Sequence, residues 1–254
     1  MTHYSINRYQ LIHFCWQHIW LLISLYIMTL GVALCVRSNL GSSVISSIPM
    51  AFALAGQDGL TFQLSIGGYT NIMNIVLVTL QIIVLRRNFE LVQLLQLVIG
   101  FIFGALIDLN MIITSYFDYS LLWQQITAQF IGCSVMAFGI AMEVRCGSVT
   151  MPGEGIQVAF ARVTGLPFPK MKIIIDTVLV ILAVASCYYF WGVWQWNIIG
   201  PGTLFAMIYV GFCVKLLSKH LGWFDKILAY SPGFRRYLFG LARLIYSGFN
   251  RNSK

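Results

Sequence analysis

The stretch GVALCVR at residues 31–37 returns 108 positions later as GIAMEVR at residues 139–145, with four of the seven positions identical. Without a gap, the same shift lays Ile48 on Ile156 and Ala51-Phe52-Ala53 on Ala159-Phe160-Ala161. At a shift of 102, Asn74 falls on Asp176, and Val76-Leu77-Val78 on Val178-Leu179-Val180. A third register, Ile99-Gly100 on Ile199-Gly200, extends the echo weakly to the ends of the two copies. The chain is therefore read as two copies of one unit, residues 16–113 and 121–214, between an N-terminal segment 1–15 and a tail 215–254.

Each unit is built of bilayer-length apolar runs. Of the 254 residues 59% are apolar and only 9% charged, against roughly a quarter charged in soluble chains. Six runs approach the roughly 20 residues a span requires: 16–36, 67–85, 91–113, 121–142, 173–191 and 198–214. The first begins too late and runs too long for a cleavable signal, so it reads as a retained helix. The expected fold is all-α and membrane-integral, with six spans.

Alternate connections carry the basic residues. Fifteen of the 16 Lys and Arg fall on the side that holds both termini, and Arg37 alone falls opposite. Because Lys and Arg near span ends are retained in the cytoplasm, both termini are expected there, in the inner membrane of a bacterium. The net charge of +8 is thus explained by topology, with no basic run interleaved with stacking aromatics and no nucleic-acid partner implied. In the tail, Phe234, Tyr237, Leu238, Leu241, Leu244 and Ile245 recur at helical spacing opposite Arg235, Arg236 and Arg243. That pattern suits a helix on anionic lipid, a docking surface for a cytoplasmic partner, or a helix packed on the bundle.

Two segments are too short or too polar to span: 41–59 (GSSVISSIPMAFALAGQDG) and 147–165 (GSVTMPGEGIQVAFARVTG). Each opens with small and hydroxyl residues and a Pro, then has an apolar run fit for a re-entrant or interfacial helix. With three spans per unit, the second copy must enter the membrane inverted, as in transporters built on inverted repeats. If both segments dip inward, their N-termini meet, and the unpaired N–H groups there suit a polar small molecule. A symmetric bundle without transport is the competing reading.

The motifs NLGSS at 39–43 with SIP at 47–49, QLLQLVIGFIFGALID at 93–108, MPGEG at 151–155 and the run from Lys172 to Asp176 resemble the YczE and YitT-like integral membrane proteins of bacteria. The resemblance covers about 31–215 and departs from the family pattern at Glu154, where a shorter Asp often stands. It implies a six-span inner-membrane protein engaged in transport.

The candidate solute-binding residues are Arg37, Ser42, Ser43, Ser46, Asn74, Arg145, Thr150 and Glu154, and the candidate coupling residues are Glu154, Asp176 and Asp108. Arg37 and Arg145 are repeat-matched charges at the mouths of the interrupted segments, placed to draw in an anion; snorkelling or a salt bridge to Glu143 or Asp176 is the alternative. Glu154 sits between glycines, where backbone can approach a ligand, or it is a surface helix cap. Asp176 suits ion coupling if deep, or an i, i+4 pair with Lys172 if shallow. Asp108 faces the bundle or the headgroups. Gly200-Pro201-Gly202-Thr203 is a break or an ordinary helix start.

Neither HExxH, GxSxG, a P-loop nor a Rossmann fingerprint occurs, the four His lie toward the ends, and the six Cys form no CxxC pair. No enzyme activity, cofactor or metal is expected. The reading is a secondary transporter or exporter of a small polar, anionic organic solute; an accessory membrane protein that modulates an enzyme or biosynthetic complex is its rival.

Overall fold

The computed structural model describes residues 8–117, 119–146 and 151–228. Nine α-helices follow among them: α1 (Arg8–Arg37), α2 (Val44–Gln57), α3 (Ile66–Leu85), α4 (Leu95–Ile113), α5 (Leu122–Arg145), α6 (Pro152–Thr164), α7 (Phe168–Trp191), α8 (Pro201–His220) and α9 (Gly222–Leu228). Six of them, all but α2, α6 and α9, are long and apolar enough to cross a membrane. Large apolar side chains such as Ile83, Ile112, Ile181 and Ile208 stand exposed around the bundle, as residues facing lipid chains do.

Most sequence-derived spans match these helices, with two differences. Residues 91–94 form a 3₁₀ turn before α4 rather than its first turn. The sixth helix runs past residue 214 to His220, so Lys215 and Lys219 belong to a bilayer-length helix, and the tail begins later than 215. The helix continues because Leu216 and Leu217 extend its apolar run and the Leu221 N–H closes its last turn on Leu217 O. The interrupted segments become α2 and α6, of 14 and 13 residues, too short to cross a bilayer. Their N-caps, Ser43 and Met151, are mates at the shift of 108.

The centre of the bundle is the crossing of α1 and α5. A Cβ on Gly31 would strike the backbone of Met136, and one on Gly139 would strike the backbone of Met28. Both pairs exchange under the shift of 108. Backbones touch here because neither glycine has a side chain, the device by which membrane helices approach without a hydrophobic driving force. Farther along, Cys35 meets Cys133, with Sγ atoms 3.7 Å apart. Partners on α5 therefore descend as positions on α1 ascend, so the two helices run antiparallel.

The other packings also come in exchangeable pairs. α1 packs on α4 as α5 packs on α8; α2 packs on α7 as α3 packs on α6; and α2 meets α3 as α6 meets α7. One pair breaks the rule. α3 packs closely along α4, whereas α7 and α8 hardly touch.

Loops and caps fix the ends. Leu40 O accepts from the Gly202 N–H at 2.9 Å and Ile198 O accepts from the Ser42 N–H at 3.0 Å, pinning the start of α8 beside the approach to α2. Gly41, at φ +115°, makes the bend that this pairing needs, and a side chain there would also strike Gly200 and Thr203. At the other end of the bundle, α9 tucks Phe224 fully into the core against Trp20, while the Trp16 indole donates to Ile227 O at 2.9 Å. Residues 229–254, including the expected amphipathic helix, lie outside the described residues.

Candidate binding cavity

Where α7 and α8 part, a cavity of about 520 Å³ opens, within the range of small-molecule pockets. It reaches the α1–α5 crossing, where Met28 and Val32 line it together with their repeat mates Met136 and Ile140. α8 contributes Val210, Gly211, Val214 and Lys215; α7 contributes Lys172 and Asp176. The starts of both short helices reach it, through Ser43, Val44 and Ile45 of the α2 end and Met151, Glu154 and Gln157 of the α6 end. These two ends touch each other, since Gly153 leaves room for the Ile45 side chain, and Ile45 and Ile48 pack on a cluster containing Ile156.

The polar groups gather at one end. Asp176 is buried, accepting from Lys172 Nζ at 3.0 Å and from Gln157 Nε2 at 3.0 Å. Sequence reasoning offered depth or an i, i+4 pair as alternatives; the pair is made, and Asp176 is buried in the bundle as well. Glu154 stands in the first turn of α6, where the helix dipole favours an acid. Burial nevertheless pushes its carboxyl up from the ordinary range; Lys172 pulls it back and Asp176 pushes it up again. Beneath lies Glu143, 4% exposed, with both carboxylate oxygens unpartnered. The backbone N–H of Met151 faces it without closing a hydrogen bond, and Glu154 is its charged neighbour. Burial also pushes the nearby Cys146 thiol up to about 12, so that group adds no charge.

Of the residues singled out from sequence, the cavity therefore joins Ser43, Glu154 and Asp176. Ser46 sits just behind, its hydroxyl 2.6 Å from that of Ser43. Ser42 is instead spent on Ile198 O at 3.2 Å, and Asn74 on Gly100 O at 3.3 Å. Thr150 lies outside the described residues. Asp108 accepts from Ser65 Oγ at 2.6 Å and from the Gly67 N–H at 2.8 Å, clasping the start of α3 to the far end of α4.

The two arginines lie away from the cavity, at the ends of neighbouring helices. Arg37 donates to Met111 O near the C-terminal end of α4 at 2.8 Å. Arg145 donates to Ser218 O and Leu221 O at the C-terminal end of α8 and pairs with Asp225. The mates thus do one job twice, each donating to carbonyls at the negative end of a neighbouring helix. Neither lines the cavity, and Arg145 pairs with neither Glu143 nor Asp176, which leaves Glu143 bare.

Sequence reading missed Gln157, Lys215 and Glu143 as groups of this site. The register held a signal for Glu143: at the shift of 108 its mate is Cys35, a buried neutral side chain, so the second copy alone places an acid at this position.

The architecture is that of a multi-pass helical membrane protein with a cavity between its helices. Its sequence matches the family of unknown function DUF6198 over residues 15–219, and the chain belongs to that family. No curated protein and no solved structure is detectably similar to it.

Proposed function

We propose that this protein is a secondary transporter whose two halves, as inverted repeats, exchange roles around the α1–α5 crossing. The observation that carries the reading is the broken pair: α3 and α4 are closed at one face while α7 and α8 stand apart over a cavity at the other. In a pair of inverted repeats the same two arrangements, swapped, give access from the opposite face. The antiparallel α1–α5 contact, which maps onto itself when mates are exchanged, supports such a reading, since inversion requires a two-fold axis perpendicular to the helices. The charge rule supports a cytoplasmic open face in a bacterial cell, and the resemblance to YczE and YitT-like proteins agrees with transport.

The lining revises the expected solute. Both arginines that suggested an anion are engaged elsewhere, and the cavity walls are mostly Met, Val and Ile, with charged groups at one end only. The solute is therefore an organic molecule with an apolar body and a polar head, with the head against Glu154, Gln157 and Lys215. A melting-shift screen of such solutes on the purified protein and on Val210→Trp tests this. Solutes should raise the melting temperature of the wild type and leave Val210→Trp unmoved. Equal shifts in both proteins, or none in either, would overturn it.

The accessory-protein reading draws on α9, which ties the base of the basic tail to α1 through Trp16 and Trp20. Deleting residues 229–254 separates the two readings: a transporter keeps its solute binding, and an accessory protein loses its cellular phenotype.

A further inference from the structure

We infer that Glu143 holds a proton in the structure seen here, and that Glu154 is the group through which this proton exchanges with the cavity. The inference rests on the transporter reading for its purpose, which is coupling, but not for its geometry. Glu143 is buried in α5 with no hydrogen bond to either carboxylate oxygen. A carboxylate in that condition is penalised severely, and a proton relieves the penalty where no cation is at hand.

The charged and titratable groups facing it have other engagements. Arg145, two residues on, is held by Asp225 and the end of α8. Lys172 is bonded to Asp176. Lys215 of α8 lies at the cavity wall, the Cys146 thiol carries no charge, and α1 brings only Tyr26 and His18 along this stretch. Glu154 of α6, itself on the cavity wall, is the acid whose charge reaches Glu143. Among the described residues no three His, Cys, Asp or Glu side chains are grouped to hold a metal ion, so two carboxyls with a single proton fit the site better than a metal.

The step balances simply. The O–H of Glu143 breaks as an O–H forms on Glu154, and Glu154 then releases the proton to water in the cavity; loading runs in reverse. Glu143 is thus the store and Glu154 the exchange group. A solute whose head displaces water at Glu154 would stop the exchange, which is how solute and proton would be linked.

Infrared spectra of the protein in lipid nanodiscs test this without any solute, so a failure to find transport leaves the result standing. The wild type should show the carbonyl stretch of a protonated carboxylic acid at neutral pH, and Glu143→Gln should lose it. Glu154→Gln should keep that band but slow its exchange in heavy water by about tenfold or more. Glu143→Gln should also melt no lower than the wild type, because it removes an acid that has no partners. Absence of the band, its survival in Glu143→Gln, unchanged exchange in Glu154→Gln, or a marked loss of stability in Glu143→Gln would each overturn the proposal.

Discussion

The α3–α4 contact and the α7–α8 gap occupy corresponding places in the two halves, yet one is sealed and the other is open. In the first, the N-cap Ser65 and the Gly67 N–H both reach Asp108, and the backbone of Gly104 lies so close to Gly67 that a Cβ would not fit. In the second, the residue preceding the helix is Pro167, which offers neither hydroxyl nor N–H. Counting back three residues from the carbonyls that hold the two arginines, Met111 and Ser218, gives Asp108 in one half and Lys215 in the other. Asp108 captures the N-terminus of α3, whereas Lys215 lines the open cavity. The comparison teaches that two halves can keep the α1–α5 crossing and the arginine caps while only one of them retains the clasp at a helix start.

The largest effect should come from Gly67→Leu. Its side chain has no volume to enter between α3 and α4, so overpacking of about 3 kcal/mol or more is expected, read as loss of folded protein by thermal unfolding in detergent. If that variant folds normally, the seal is not the tight contact described. Asp108→Ala should come next, at about 1–3 kcal/mol for a charged acceptor with two donors, read by the same thermal unfolding. By contrast, Gly211→Leu lies on the wall of the open gap, where a Cβ meets nothing within 4 Å. It should change stability by about 0.5 kcal/mol or less, or raise it slightly through helix propensity, and a large loss would show that α7 and α8 close in solution.

The subtlest test concerns pH. The carboxyl of Glu154 is raised by burial, so the folded state holds its proton more tightly than the unfolded chain does. Stability from this source is present at acid pH and lost as pH rises through the folded-state value. Glu154→Gln should remove that slope, so the wild type should lose melting temperature relative to the variant between acid and neutral pH. Parallel curves would mean that Glu154 is solvated as an ordinary surface acid.

Much of this was legible in sequence, for identifiable reasons. Apolar length gave all six spans, and the repeat at a shift of 108 marked Gly31 and Gly139, although that these glycines meet the Met136 and Met28 backbones at one crossing emerged only from the packing. Glu154 and Asp176 were legible because acids are rare in such a chain. The roles of Arg37 and Arg145 were not. A charge at a span end reads alike whether it faces a solute or the carbonyls of a neighbouring helix, and only packing decides. Glu143 was hidden because Arg145 two residues away looked like its partner, whereas residues two apart on a helix point to different faces.

The α1–α5 crossing has a consequence for the order of events during synthesis. The surface that α1 buries is supplied chiefly by a helix ending at Arg145, so α1 must wait in the bilayer while more than a hundred further residues are made. It is equipped to wait. Ser24 and Thr29, both fully buried in the finished bundle, bond to the carbonyls of Leu21 and Leu25 in their own helix, so neither hydroxyl is orphaned in lipid. The first outside caller to arrive is Asn110 of α4, whose amide donates to Thr29 at 2.8 Å. A ribosome that stalls between residues 113 and 122 would therefore leave behind an unfinished half whose glycine-bearing α1 face has no α5 to cover it.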